Sequence, residues 1–205
     1  MLNIISKEFM LSKNNVFVWL NAAFLIVLLL IDKTEPLTVV MAYFLETIVI
    51  GVIHAFKLYN IISYKKQDNY LVILKFLSQY LFFVAVQLIF VFAFLKFYNS
   101  NIIEAYYLID NIKYVLSLKG MWLVLASIVI YNIADYIINF LAPKIYDTVV
   151  LKQFLSQPYK RILVQQFTVI LACFFYFFIS GVLIAAVALI LLRTYIELYF
   201  QANQD

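Results

Sequence analysis

Residues 37–57, LTVVMAYFLETIVIGVIHAFK, form an apolar stretch broken near its middle by Glu46 and near its end by His54 and Lys57. About 20 predominantly apolar residues cross a bilayer core as a helix, so this stretch predicts a transmembrane span. At 100° per residue, Tyr43, Glu46, Ile50, His54 and Lys57 fall within an arc of about 80°. A charge inside hydrocarbon costs at least ~2.5–3.5 kcal/mol. Glu46 is therefore expected to face other helices rather than lipid, as one member of a polar cluster that marks a candidate site.

The rest of the chain repeats the pattern. Further apolar stretches lie at about 16–31, 72–97, 121–141, 159–178 and 182–199. Hydrophobic residues make up 66% of the 205, charged residues 13%, and the mean hydropathy is +0.98. Soluble domains carry roughly 25% charged residues, so a single membrane domain over 1–205 is expected. No charge occurs between Ile162 and Leu192. That run is long for one ordinary span and short for two. Ser180-Gly181 favours a tight helical hairpin, with one long tilted helix as the alternative. The expected fold is all-α: an integral membrane bundle of six transmembrane helices. Amphipathic segments at 2–13, 101–119 and 144–156 are expected as short interfacial helices.

Charge distribution orients the bundle. Of 15 Lys and Arg residues, Lys33, Lys96, Lys113 and Lys119 fall on one side, and the others, counting those in the cytoplasmic halves of spans, on the opposite side. The positive-inside rule then predicts a multi-pass protein of the cell (inner, cytoplasmic) membrane with both termini cytoplasmic. The N-terminal MLNIISKEFMLSKNN lacks a small-residue cleavage site, so no removable signal is expected.

Each remaining span carries its own polar stripe. Asn132, Asp135, Tyr136 and Asn139 share an arc of about 100°. Arg161, Gln165 and Thr168 share one stripe, and Arg193 and Glu197 another. Such stripes face one another because lipid cannot hydrogen-bond them. The candidate pocket comprises Glu46, His54, Asp135, Arg161 and Arg193, supported by Tyr43, Asn132, Asn139, Gln165 and Glu197. Counting from the expected helix ends places Asp135 level with Arg193, which predicts an Asp135–Arg193 pair. The same count leaves Glu46 at the midplane with no cation beside it, hence neutral by desolvation.

Several chemistries lack their residues. There is no G-x-S-x-G and no H-E-x-x-H, and no Asp-x-x-x-Asp that would hold a metal–diphosphate complex. Glu46, His54 and Asp135 are an acceptable ligand set by type, but their different depths argue against a metal. Cys173 has no disulfide partner and one histidine cannot ligate haem twice, so no metal and no cofactor are expected. With three Gly and three Pro the spans read as continuous, unlike the broken helices of many transporters.

Three fragments carry a resemblance: YFLETIVIGVIHAFK (Tyr43–Lys57), PYKRILVQQF (Pro158–Phe167) and LLRTYIEL (Leu191–Leu198). They resemble an uncharacterised prokaryotic family of small polytopic membrane proteins, known only as a domain of unknown function. Gln165-Gln166 departs from a position where a histidine is common, and Glu197 stands for an aspartate. The resemblance implies a fold and a polar cluster and no activity.

Four readings stay open. The charges either pair off and lock helix register, or form a cytoplasm-facing pocket for a small anionic or lipid-headgroup ligand or a partner. In the pocket, Arg161 and Arg193 are anion contacts and Glu46 is the floor. A third reading is an intramembrane enzyme acting on lipid or isoprenoid substrates, with Glu46 or His54 as general base. The fourth is an oligomeric ion or proton channel or transporter subunit. The bilayer is the expected partner and nucleic acid is not; a lipid-headgroup or small anionic ligand and a homo-oligomer both stay open.

Overall fold

The computed structural model describes residues 16–66, 69–96, 101–102, 104–151, 154–155, 159 and 182–202. The expectations for 2–13, for the Ser180-Gly181 hairpin, for Arg161 and Gln165, and for all but Tyr159 of the 159–178 span lie outside those residues. Among the described residues every element is helical: α1 (Val16–Leu30), α2 (Pro36–Tyr64), α3 (Leu71–Lys96), α4 (Leu108–Leu116) and α5 (Met121–Tyr136). A π-helical turn (Ile137–Leu141), α6 (Ile145–Thr148) and α7 (Val182–Ala202) follow. Three segments are long and apolar enough to cross a membrane: α2, α3 and α5 with its π-turn.

The bundle is built round α2. Every residue from Thr38 to Thr47 is buried, as expected for a helix apolar all round. In its most apolar stretch 72% of residues are buried, against 33% for α3 and 28% for the α5 segment, which makes α2 the central helix. It packs against α3, α5 and α7, while α1 packs on α5 and α7. The outer helices bury one stripe each. In α1, Val18, Asn21, Ala22, Leu25, Leu28 and Leu29 face inward, and Phe17, Leu20, Phe24, Val27 and Leu30 face outward. Both sets recur at spacings of three and four, the helical period.

Contacts set the helix directions. Tyr80 of α3 meets Thr47 of α2, and Phe76 meets His54, so the two helices are antiparallel. Between α2 and α5 the pairs ascend together, Thr38 with Lys119, Glu46 with Asn132 and Asn60 with Tyr136, so these helices are parallel. The amphipathic stretch 101–119 contributes α4, which packs on α3 and α5. The weaker stretch 144–156 contributes the single turn α6. The helix expected over 37–57 begins one residue earlier and runs on to Tyr64 before Lys66 adopts a left-handed conformation (φ 50°).

The α1–α2 connection shows how register is held at one end. Asp32 is left-handed (φ 54°), the Asp32 N–H donates to the Leu29 carbonyl (3.2 Å), and that of Lys33 to the Leu28 carbonyl (3.0 Å). This is a Schellman ending, which satisfies carbonyls that helix termination leaves unpaired. The Lys119 carbonyl accepts from the Thr38 hydroxyl (3.1 Å) and the Thr34 hydroxyl (3.3 Å). Gly120 begins α5 at φ +77°, and a Cβ there would collide with the Lys33 carbonyl and come within 2.9 Å of the Thr34 Cβ. Gly120→Ala is thus expected to cost about 1–3 kcal/mol through backbone strain and the backbone clash. A lowered melting temperature of the detergent-solubilised protein checks this.

At the same end, the Lys119 ammonium donates to the Asp32 carboxylate at 2.8 Å. That hydrogen bond and its charge hold the Asp32 carboxyl below its ordinary 3.8. A carboxyl lowered on folding contributes stability above its ordinary pKa and loses it as pH falls through the lowered value. Because Asp32 is fully exposed the contribution is small. Lys119→Met is expected to return the Asp32 titration, followed by carbon-13 NMR, toward the ordinary value.

Candidate functional site

The third turn of α2 and the middle of α7 meet around one buried ion pair. The Arg193 Nε donates to the Glu46 Oε2 at 2.9 Å, and the Arg193 Nη2 donates to the Glu46 Oε1. This two-point grip is the strongest geometry a guanidinium and a carboxylate form. Asn132 of α5 donates its amide to the Glu46 Oε1 (2.9 Å) and to the carbonyl of Ile128 (2.9 Å). The guanidinium carbon lies 4.9 Å from the centre of the Tyr43 ring and 5.3 Å from that of Tyr131. Both distances are within cation–π range. The Tyr131 hydroxyl in turn donates to the Glu197 Oε1 at 3.3 Å. Glu46 is 1% exposed and Arg193 7%, so the pair is sealed from bulk solvent.

Two expectations are corrected here. Arg193 pairs with Glu46 rather than with Asp135, and Glu46 is not an isolated midplane carboxylate. The reason is that helix ends are not level. At ~1.5 Å per residue Arg193 sits roughly 13 Å from the end of α7 at Ala202, whereas Glu46 sits roughly 27 Å from the end of α2 at Tyr64, so counting from each end misplaces the charges. Chemically, a carboxylate gripped by a guanidinium and an amide has three of its roughly four acceptor positions occupied. The arrangement is suited to fixing three helices at one level rather than to abstracting a proton from a substrate.

Asp135 finds a different cation. Lys57 of α2 approaches its Oδ2 at 3.4 Å, and Asn139 donates to its Oδ1 at 2.9 Å. The Lys57 ammonium also lies 5.5 Å from the Phe140 ring centre. One turn further along α2, the Asn60 amide donates to the Tyr136 hydroxyl. The Lys65 ammonium reaches the Val149 carbonyl. Here the helix after Tyr136 widens into the π-turn, where the Ala142 N–H donates to the Ile137 carbonyl at 2.9 Å. Such turns often occur at functional positions because they redirect side chains. This second cluster is more open than the first: the Lys57 and Asp135 side chains are 18% and 19% exposed. It lies about 16 Å further along α2, from the rise per residue between Glu46 and Lys57.

The expected pocket is thus divided. Glu46, Arg193, Asn132, Tyr43 and Glu197 gather in the sealed layer, and Asp135 with Asn139 in the open one. His54 joins neither ion pair. It stacks on Phe154 (4.5 Å between ring centres, planes 12° apart) and lies against Phe76 at 5.1 Å. Among the described residues no group of three or more His, Cys, Asp and Glu side chains is arranged to hold a metal ion.

Sequence reasoning missed Tyr131, although it lies four residues before Asp135 and so on the same helical stripe. It also missed Asn60, which continues the α2 stripe one turn beyond Lys57. Ending the span at 57 concealed it. The close fit of Gly51 against the Tyr80 ring, whose hydroxyl donates to the Thr47 carbonyl at 2.6 Å, has no pattern a sequence displays.

Among the described residues these features define an all-helical class of protein, with three segments long and apolar enough to cross a membrane and paired acidic and basic side chains inside the bundle. The chain belongs to a family of unknown function (DUF6498), which it matches over residues 5–205. This bears out the expectation of an uncharacterised family. No curated protein and no solved structure matches the chain.

Removing one partner of a buried ion pair leaves an uncompensated charge and costs about 3–5 kcal/mol. Arg193→Met and Glu46→Leu are each expected to lower the melting temperature and the folded yield sharply. The double variant recovers most of that loss. A double-mutant cycle on the purified protein in detergent measures the coupling, and additive losses would contradict the pairing.

Proposed function

We propose that the chain is a multi-pass protein of a prokaryotic cell membrane. Its six spans comprise α1, α2, α3, the segment at 159–178, α7, and α5 with its π-turn. Both termini are cytoplasmic. The end of α2 at Tyr64 is then the cytoplasmic end, supported by the nearby Lys57, Lys65, Lys66 and Lys144 and the positive-inside rule.

The biochemical role we propose is non-enzymatic binding of a small anionic group, either a lipid headgroup or a free anion such as phosphate, at the open cluster. The observation that carries this reading is the half-buried Lys57. It is held by Asp135 at 3.4 Å, above an aromatic ring and beside the Asn60–Tyr136 and Asn139 groups. A lysine ammonium is a three-donor cation of the kind that binds phosphate oxygens. The neighbouring amides and hydroxyl are donors of the kind that recognise phosphate oxygens. The sealed Glu46–Arg193 layer then serves as the rigid floor that holds α2, α5 and α7 in place beneath the site, rather than as its anion contact. Arg161 stays a candidate anion contact on the strength of its position in the sequence alone.

Binding is tested with the purified protein in detergent, using native mass spectrometry and two probes: phosphatidylglycerol and inorganic phosphate. Phosphatidylglycerol is expected to be retained in preference to phosphatidylcholine, and Lys57→Gln to weaken retention about 5-fold, in line with ~1 kcal/mol per basic residue near a headgroup. Competition by inorganic phosphate identifies a free-anion site, and its absence a headgroup site. Equal retention of both lipids by native protein and variant, with no effect of phosphate, would refute the reading.

A further inference from the structure

The face of α3 that points away from the bundle carries two polar residues where a lipid-facing helix has none. Phe76, Tyr80, Val84, Leu88 and Val91 form the buried stripe of α3. On the opposite side, Leu71, Leu74, Phe82 and Phe90 are 65–75% exposed. Ser78 and Gln79 flank Phe82 on that outward side, and both are exposed. Neither side chain hydrogen-bonds to a partner among the described residues.

Their depth excludes a simple escape to water. Gln79 adjoins Tyr80, whose ring lies against Gly51 and whose hydroxyl reaches Thr47, both near the middle of α2. A 26-residue helix is about 39 Å long against a hydrocarbon core of ~30 Å, which leaves Gln79 well inside that core. A primary amide there faces only hydrocarbon, and bilayer-exposed polar groups are costly.

Ser78 and Gln79 stay uncovered in the folded chain. Tyr159, which precedes residues 160–181, lies against Phe76 and Tyr80 on the buried stripe (6.2 and 6.4 Å between ring centres). α7, which follows that segment, packs on α1 and α2. We infer that α3 is the contact surface of a symmetric dimer, with Ser78 and Gln79 of one copy hydrogen-bonding to those of a second. A glutamine amide both donates and accepts, so it is complementary to itself across a two-fold axis. Leu71, Lys75, Ser78, Phe82, Ala85 and Ile89 recur at alternating spacings of four and three. This is the seam of a left-handed helix pair, with the small Ser78 and Ala85 admitting close approach.

The inference rests on α3 crossing the membrane, part of the reading proposed above. The full-length chain, labelled with donor or acceptor fluorophores at its C-terminus, is reconstituted into phosphatidylcholine–phosphatidylglycerol vesicles. Energy transfer is followed as the protein is diluted in lipid. The native chain is expected to show a concentration-dependent dimer. The double variant Ser78→Ala/Gln79→Leu is expected to raise the dissociation constant about 10-fold, a value set by two interhelical hydrogen bonds. Its helix content and melting temperature stay native, because neither residue touches the core; Gln79→Asn, which keeps the amide, retains most of the association. A native chain that is monomeric at every dilution, or a double variant that dimerises as well as the native chain, overturns the dimer. Carbonate extraction is scored separately. Release of the protein from vesicles would overturn the spanning reading itself, whereas a retained monomer overturns the dimer alone.

Discussion

A carboxylate and a guanidinium, placed in a largely apolar interior, must meet or one of them must lose its charge or its place. Glu46 and Arg193 meet in a two-point grip across 147 residues of chain. The rest of the interior is arranged to make this tolerable. Asn132 supplies a third donor to the carboxylate, and Tyr43 and Tyr131 present ring faces to the guanidinium. The desolvation cost of such a pair offsets much of its attraction, so its main consequence is specificity rather than net stability. Turning α7 by one residue would swing Arg193 through 100° and leave two bare charges. The central helix α2 is therefore tied to α5 and α7 at a single level.

Away from that level, register is set by backbone rather than charge. At one end, the Schellman ending of α1 fits beneath Gly120, where no side chain has room. Near the middle, Gly51 lets Tyr80 lie flat enough on α2 for its hydroxyl to reach a helix carbonyl. These contacts hold α3 antiparallel and α5 parallel to α2. They leave the opposite end of α2 as the place where polar groups are only half covered. The π-turn after Tyr136 and the Lys57–Asp135 pair lie at that end. Among the described residues the centre is closed packing, and the half-covered Lys57–Asp135 cluster lies toward the Tyr64 end of α2.

Much of this was legible in the residues. The positions of α1, α3 and α5 follow from where apolar runs start and stop, because burial in hydrocarbon or in a bundle demands the same composition. The stripes of α2 and α5 were legible too, since helical periodicity alone puts Glu46 and Lys57, or Asn132 and Asp135, on common faces. What failed was the pairing between stripes. Levels counted from helix ends fail because the ends are not level: Glu46 lies 18 residues before the end of α2 at Tyr64 and Arg193 nine before the end of α7 at Ala202. Helices continue past the apolar segment wherever packing and hydrogen bonding continue, and composition carries no trace of that.

The sequence by itself determined that this is an all-helical chain with helices apolar enough to span a membrane, and that Glu46, Asp135 and Arg193 lie on polar helical stripes. Those are consequences of composition and of the 3.6-residue period, both local properties. Only the tertiary structure decided that Arg193 neutralises Glu46 and Lys57 neutralises Asp135, and that His54 goes to an aromatic slot. Pair identity depends on the relative height and rotation of helices far apart in the chain. Those are set jointly by Gly120, Gly51, the helix ends and the ion pairs themselves, so no single stretch of residues contains the answer.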